Sequence, residues 1–165
     1  MMKLFTLLFA IALIPNWLMA KDKSLLKVGT IAPDFTLVSE KGDTVTLSTF
    51  RNIKTVVLVF YPGDNTPVCT QQLCEIRDDY SAFTKKGAVI FGINPADAKS
   101  HLAFAQKNAF PFPLLIDKDK KTAKSYGTYS KLMQKRTVYV IDKKGIIIYA
   151  QRGKPPVDEI LKSFK

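Results

Sequence analysis

The sequence predicts one α/β domain built on a mixed central sheet flanked by helices. Three observations predict it. The runs Thr55 to Phe60 and Ala88 to Ile93 are continuous, β-branched and aromatic, as expected of strands covered on both faces. Segments with helical spacing alternate with these strands. Short runs flank a Gly-containing turn near each end and read as hairpins. At 165 residues the chain has room for one proper core, and 47% hydrophobic with 24% charged residues is a globular composition. There is no internal repeat and no low-complexity linker.

The chain starts with a short basic stretch, Met1 to Lys3. Leu4 to Ile14 is apolar apart from Thr6, and Leu18-Met19-Ala20 leads into Lys21-Asp22-Lys23. That order is the order of a secretory signal, with Ala20 the last residue removed. Leu18 is not small, so the cleavage site is imperfect. The alternative is an uncleaved anchor in the inner membrane, but the apolar run is short for a span and is interrupted by Pro15 and Asn16. The expectation is therefore residues 1–20 as a signal or anchor, residues 21–165 as the domain, and an exported, periplasmic protein.

Within the domain, Val28 to Val38 and Thr44 to Leu47 flank Lys41-Gly42-Asp43 and predict an N-terminal β-hairpin. Strand Thr55–Phe60 runs into a Pro/Gly/Asn turn. Pro67 then opens a helix, where its missing N–H is no loss. Leu73, Ile76, Tyr80 and Phe83 recur at helical spacing up to Gly87. After the second strand, Asp97 to Asn108 is helical in composition, with Ala98, Leu102 and Ala105 along one face and Phe104 beside them. Phe110-Pro111-Phe112-Pro113 breaks it before Leu114-Leu115-Ile116, and Thr122 to Tyr126 is a helical turn ended by Gly127. Thr137 to Ile141 and Ile146 to Ala150 flank Asp142-Lys143-Lys144-Gly145, a hairpin signal. Val157, Ile160, Leu161 and Phe164 give an amphipathic final helix.

The formal charge of +11 raises the question of a polyanionic partner. The lysines are spread in ones and twos, with no contiguous basic stripe interleaved with aromatics, so nucleic acid is not an expected partner. Two cysteines and one histidine are thin material for a structural zinc site, and no metal or cofactor is expected. His101 reads as an ordinary surface residue on the polar part of its helix.

The chemistry concentrates in the two cysteines. Pro67-Val68-Cys69 puts Cys69 in the first turn of a helix, where free N–H groups and the positive dipole end favour a thiolate. Cys74 follows five residues later. On an intact helix their Cα atoms are roughly 8 to 9 Å apart and on different sides, whereas a disulfide requires less than about 7 Å. A static staple and a redox pair both remain open, and the geometry favours a transient bond that forms when the helix unwinds locally. With four residues between the cysteines, the spacing is not that of thioredoxin motifs, which have two.

Phe-Tyr-Pro-Gly-Asp-Asn-Thr-Pro-Val-Cys-Thr, Phe60 to Thr70, resembles the active-site segment of peroxiredoxins, and the closeness of Cys74 resembles the bacterioferritin comigratory protein class. The likeness extends to Ala32-Pro33-Asp34-Phe35, Phe112-Pro113-Leu114-Leu115 and Arg136 to Asp142. It implies a thioredoxin-like fold and a thiol peroxidase acting on hydrogen peroxide and organic hydroperoxides. Cys69 matches the peroxidatic cysteine, which attacks the O–O bond and becomes a sulfenic acid. Cys74 matches the resolving cysteine, which condenses with that acid to a disulfide. Thr66 would hydrogen-bond the peroxide, Arg136 would hold the thiolate and stabilise charge on the oxygens, and Pro62 would shield the pocket. The implied partners are a peroxide and a thioredoxin-like or other dithiol reductant, with the chain a monomer. One departure stands out: the glutamate frequent three residues after the peroxidatic cysteine is Gln72 here. An exported thioredoxin-like dithiol–disulfide exchanger is the alternative function, and a non-catalytic binding module that kept the fold is a third.

Overall fold

The computed structural model describes residues 25–164. The segment read as a signal or anchor lies outside the described residues. Among the described residues no helix is long and apolar enough to cross a membrane.

A seven-stranded sheet carries the structure, in the order β2-β1-β5-β4-β3-β6-β7. The strands are β1 Thr36–Ser39, β2 Thr44–Thr46, β3 Thr55–Phe60, β4 Ala88–Asn94, β5 Leu114–Ile116, β6 Thr137–Ile141 and β7 Ile147–Arg152. β3 pairs in parallel with β4, and β4 with β5, while the outer pairings are antiparallel. The sheet is mixed, as the sequence predicts. The N-terminal hairpin is β1–β2, and it extends the sheet by pairing with β5.

β3 shows why its sequence is continuously apolar. Successive side chains point to opposite faces. Val57 and Val59 join one core cluster with Leu73, Ile76, Phe83 and Phe104, whereas Val56, Leu58 and Phe60 join a second with Tyr126 and Tyr139. With a core on each face, β3 is buried along its whole length.

The helices are α1 Pro67–Asp78, α2 Tyr80–Lys85, α3 Ala98–Asn108, α4 Lys121–Ser125 and α5 Val157–Lys162, and a 3-10 turn covers Leu47–Phe50. The helical pattern expected to run on to Gly87 is broken at Asp79, with φ −96° and ψ 11°, between α1 and α2. Asp78 and Asp79 are weak helix formers, and their charges oppose the negative end of the α1 dipole. The inner face of α3 also differs from expectation. His101, Phe104 and Ala105 are buried, while Leu102 is exposed. Asp97 caps α3 by accepting from Ser100 N at 2.8 Å. β7 begins at Ile147 because Ile146 forms an isolated bridge with Ile31 instead.

The loop from Tyr61 to Thr66 leaves the carboxyl end of β3, beside the parallel pair β3–β4. Crevices beyond the carboxyl ends of such strands are where α/β sheets bind ligands.

Candidate active site

Cys69 is the third residue of α1 and is fully buried. The first N–H group of the helix to find an intrahelical acceptor is that of Thr70, bonded to Thr66 O at 2.9 Å. The earlier N–H groups belong to the free end that stabilises negative charge. Thr66 is the N-cap residue, yet its side chain makes no cap hydrogen bond. Among the described residues its hydroxyl donates to Gly63 O alone, at a long 3.5 Å, and Thr66 is exposed.

Arg136 lies just before β6, the strand beside β3, and reaches the helix from there. One guanidinium nitrogen donates to Cys69 Sγ at 3.0 Å, and the other donates to Gln72 Oε1 at 2.6 Å. The Cys69 sulfur therefore meets the Arg136 guanidinium and the N-terminal turn of α1 together. Gln72 is one turn further along α1 and buried. It orients the arginine as a neutral acceptor, and its Nε2 has no partner among the described residues. Pro62 is half-buried in the loop between β3 and α1.

The sequence-predicted residues Cys69 and Arg136 are thus in direct contact, with Thr66 and Pro62 on the adjoining loop. Cys74 is free and half-buried, and its thiol donates to Asn108 Oδ1 at 3.8 Å rather than meeting Cys69.

Sequence reasoning missed a group that holds this loop. The Asp64 carboxylate accepts from Tyr61 Oη (2.9 Å), Asn94 Nδ2 (2.9 Å) and Ser100 Oγ (2.6 Å), and faces His101 Nδ1 at 2.9 Å. Burial alone would push this carboxyl up. Hydrogen bonds from His101, Ser100 and Tyr61, with the His101 charge, outweigh burial and hold it below the usual range. Burial first, then the Asp64 charge and hydrogen bond, push the Tyr61 phenol well above its ordinary value, so it stays a neutral donor. His101 is not the surface residue expected, because it is fully buried. The available signal was its place on one face with Phe104, Ala105 and Asn108. Among the described residues no cluster of three or more His, Cys, Asp or Glu could hold a metal ion.

Residues 28–150 match the AhpC/TSA family. The chloroplastic peroxiredoxin Q of Triticum aestivum is 48% identical over 124 residues, covering 73% of this chain and 57% of its own length. That of Populus jackii is 42% identical over 158 residues, covering 90% of this chain and 74% of its own. Among solved structures, the peroxidoxin BcpB of Mycobacterium tuberculosis superposes with a TM-score of 0.78 at 29% identity, covering 84% of this chain and 96% of that one. The two plant relatives are chloroplastic proteins, which overturns the expectation of a periplasmic or membrane-anchored one. A basic start followed by an apolar run was too little to assign a compartment, because such leaders are distinguished mainly by composition.

Proposed function

The chain belongs to the peroxiredoxins, in the peroxiredoxin Q or bacterioferritin comigratory protein type of thiol peroxidase, and on that premise we propose a division of labour among its own residues. Cys69 is the peroxidatic cysteine. Its thiolate attacks one peroxide oxygen, the O–O bond breaks, and the other oxygen leaves as water or an alcohol after taking up a proton. The product is a Cys69 sulfenic acid. Arg136 holds the thiolate and stabilises charge on the oxygens, Thr66 donates to the peroxide, and Pro62 closes one side of the pocket against water. Fixed donors aimed at developing charge are the largest source of catalysis available to such a site.

Cys74 resolves the sulfenic acid as an intramolecular disulfide, and a dithiol protein of the thioredoxin type reduces that disulfide. The substrates are hydrogen peroxide and organic hydroperoxides, the working unit is a monomer made of the 21–165 domain, and nucleic acid has no part in the reaction. The observation that carries this reading is the 3.0 Å contact between Arg136 and Cys69 Sγ at a helix N-terminus. A dithiol–disulfide exchanger is not favoured, because the relatives named above are peroxiredoxins.

Peroxide consumption with a dithiol reductant tests it, comparing the wild type with Cys69→Ser and Cys74→Ser. Turnover is expected to vanish in Cys69→Ser, and a sulfenic acid is expected to persist in Cys74→Ser. Peroxide turnover surviving in Cys69→Ser would remove the assignment.

A further inference from the structure

The resolving role of Cys74 is taken from the reading above, and the inference here rests on it. Asn108 is the last residue of α3, and two groups from α1 converge on it. The Cys74 thiol donates to its Oδ1 at 3.8 Å, and Arg77 donates to its backbone carbonyl at 2.7 Å. Cys74 and Arg77 are three residues apart and share a face of α1. The Asn108 amide is itself fixed, its Nδ2 donating to Phe104 O at 2.9 Å. The C-terminal half of α1 is thereby fastened to the end of α3 at the resolving cysteine.

Cys69 and Cys74 occupy one continuous helix. Ideal geometry separates their Cα atoms by roughly 8 to 9 Å and turns them about 140° apart around the axis, beyond the reach of a disulfide. The thiol must leave Asn108 and the intervening turn must unwind before the two sulfurs meet. The fraction of molecules in which this tie is open therefore multiplies the rate of resolution.

We propose that Asn108 is a positioning residue that holds the resolving thiol against the end of α3 and so sets the lifetime of the Cys69 sulfenic acid. In the step it governs, the Cys74 thiolate attacks Cys69 Sγ. The S–S bond forms as the S–O bond breaks, and hydroxide leaves and takes up the proton lost by Cys74 to become water. The Cys74 sulfur is oxidised and the sulfenic sulfur reduced by the same electron pair. While the tie is closed, a second peroxide can oxidise the sulfenic acid to the sulfinic acid. The tie thus sets how much peroxide the protein survives.

The test uses the full chain in single turnover with one equivalent of hydrogen peroxide, quenched into a sulfenic-acid trap and read by mass spectrometry. Asn108→Ala is expected to form the disulfide about fivefold faster, the equivalent of one hydrogen bond of about 1 kcal/mol. Sulfenic acid formation should keep its wild-type rate, and half-conversion to sulfinic acid should require more peroxide. Asn108→Asp keeps an acceptor and is expected to resolve at the wild-type rate or more slowly. Resolution unchanged or slower in Asn108→Ala would overturn the proposal, as would Asn108→Asp resolving as fast as Asn108→Ala. A merely structural role would lower the thermal midpoint and slow sulfenic acid formation together, which also overturns it. If Cys74→Ser fails to prolong the sulfenic acid, the resolving role itself falls, and that outcome is read independently of either Asn108 variant.

Discussion

His101 Nδ1 lies 2.9 Å from Asp64 Oδ2, and neither side chain is more than 3% exposed. The two residues are 37 positions apart, one on the loop that carries Thr66 and the other on α3. Asn94 at the end of β4 completes the attachment at 2.9 Å. A strand, a helix and the loop are thus joined through one carboxylate. The loop needs such an anchor because Asn65, between Asp64 and Thr66, has a left-handed backbone with φ 57°.

Asp64→Asn should therefore act on stability and catalysis together. The amide replaces an acceptor that serves several donors and leaves at least one buried donor unpaired, at a cost of about 2 kcal/mol. The peroxide rate should fall roughly tenfold as the loop loses its fixed geometry. Urea unfolding and stopped-flow peroxide kinetics check the two expectations. The wild type should also lose stability in acid. The folded-state value of Asp64 is depressed, so its contribution is complete above the ordinary carboxyl value of about 4. That contribution is lost as pH falls through the lower folded value. In Asp64→Asn this component of the acid dependence should be absent.

The Arg136 contacts make separable predictions. Arg136→Met removes the positive charge beside Cys69 and the donors proposed for the peroxide oxygens, and should lower the peroxide rate constant about 100-fold or more. Gln72→Leu leaves the guanidinium in place without its 2.6 Å acceptor, and should cost about tenfold through lost orientation. Gln72→Glu keeps the acceptor and should stay closer to wild type than Gln72→Leu. Second-order rate constants with hydrogen peroxide decide the order, and Gln72→Leu matching wild type would show that Arg136 needs no support from α1.

The legible parts of the molecule were those whose signals are local. β3, the start of α1 at Pro67 and the two hairpins follow from residue type and spacing within a few positions. Cys69 was legible for the same reason, since a proline-led first turn announces its environment. Arg136 came only from the resemblance, because nothing within its own segment points to a thiol 67 positions away. Asp64 and His101 were missed because a carboxylate in a Pro/Gly/Asn turn looks solvated, and apart from Tyr61 its partners come from β4 and α3. The break at Asp79 was missed because apolar spacing continues across it, while the backbone yields to two adjacent aspartates.

Thr66→Val tests whether the N-cap hydroxyl serves the helix or the peroxide. A capping threonine normally contributes about 1 kcal/mol. This one makes no cap hydrogen bond. The substitution should therefore shift stability by less than about 0.5 kcal/mol, as for positions outside the recognised destabilising mechanisms. The peroxide rate should fall roughly tenfold, the equivalent of one hydrogen bond of about 1.4 kcal/mol made in the transition state. Paired thermal melts and peroxide kinetics separate the two, and a large fall in stability with an unchanged rate would return Thr66 to a structural role.

Gly92→Ala probes how the sheet fixes the loop from below. Gly92 lies in β4 opposite Val59 of β3 and Leu114 of β5. A Cβ there would come within 2.6 Å of Leu114 Cδ2 and 3.2 Å of Tyr61 Cε1. Leu114 and Tyr61 are both fully buried, so neither can swing into solvent to make room. Overpacking of this kind typically costs about 1 to 3 kcal/mol. Because Tyr61 begins the loop and donates to Asp64 at 2.9 Å, its displacement should carry into the active site. The expected result is a lower thermal midpoint together with a reduced peroxide rate constant, measured well below the melting range. Lower stability with an unchanged rate would mean that the Asn94, Ser100 and His101 contacts hold Asp64 without Tyr61.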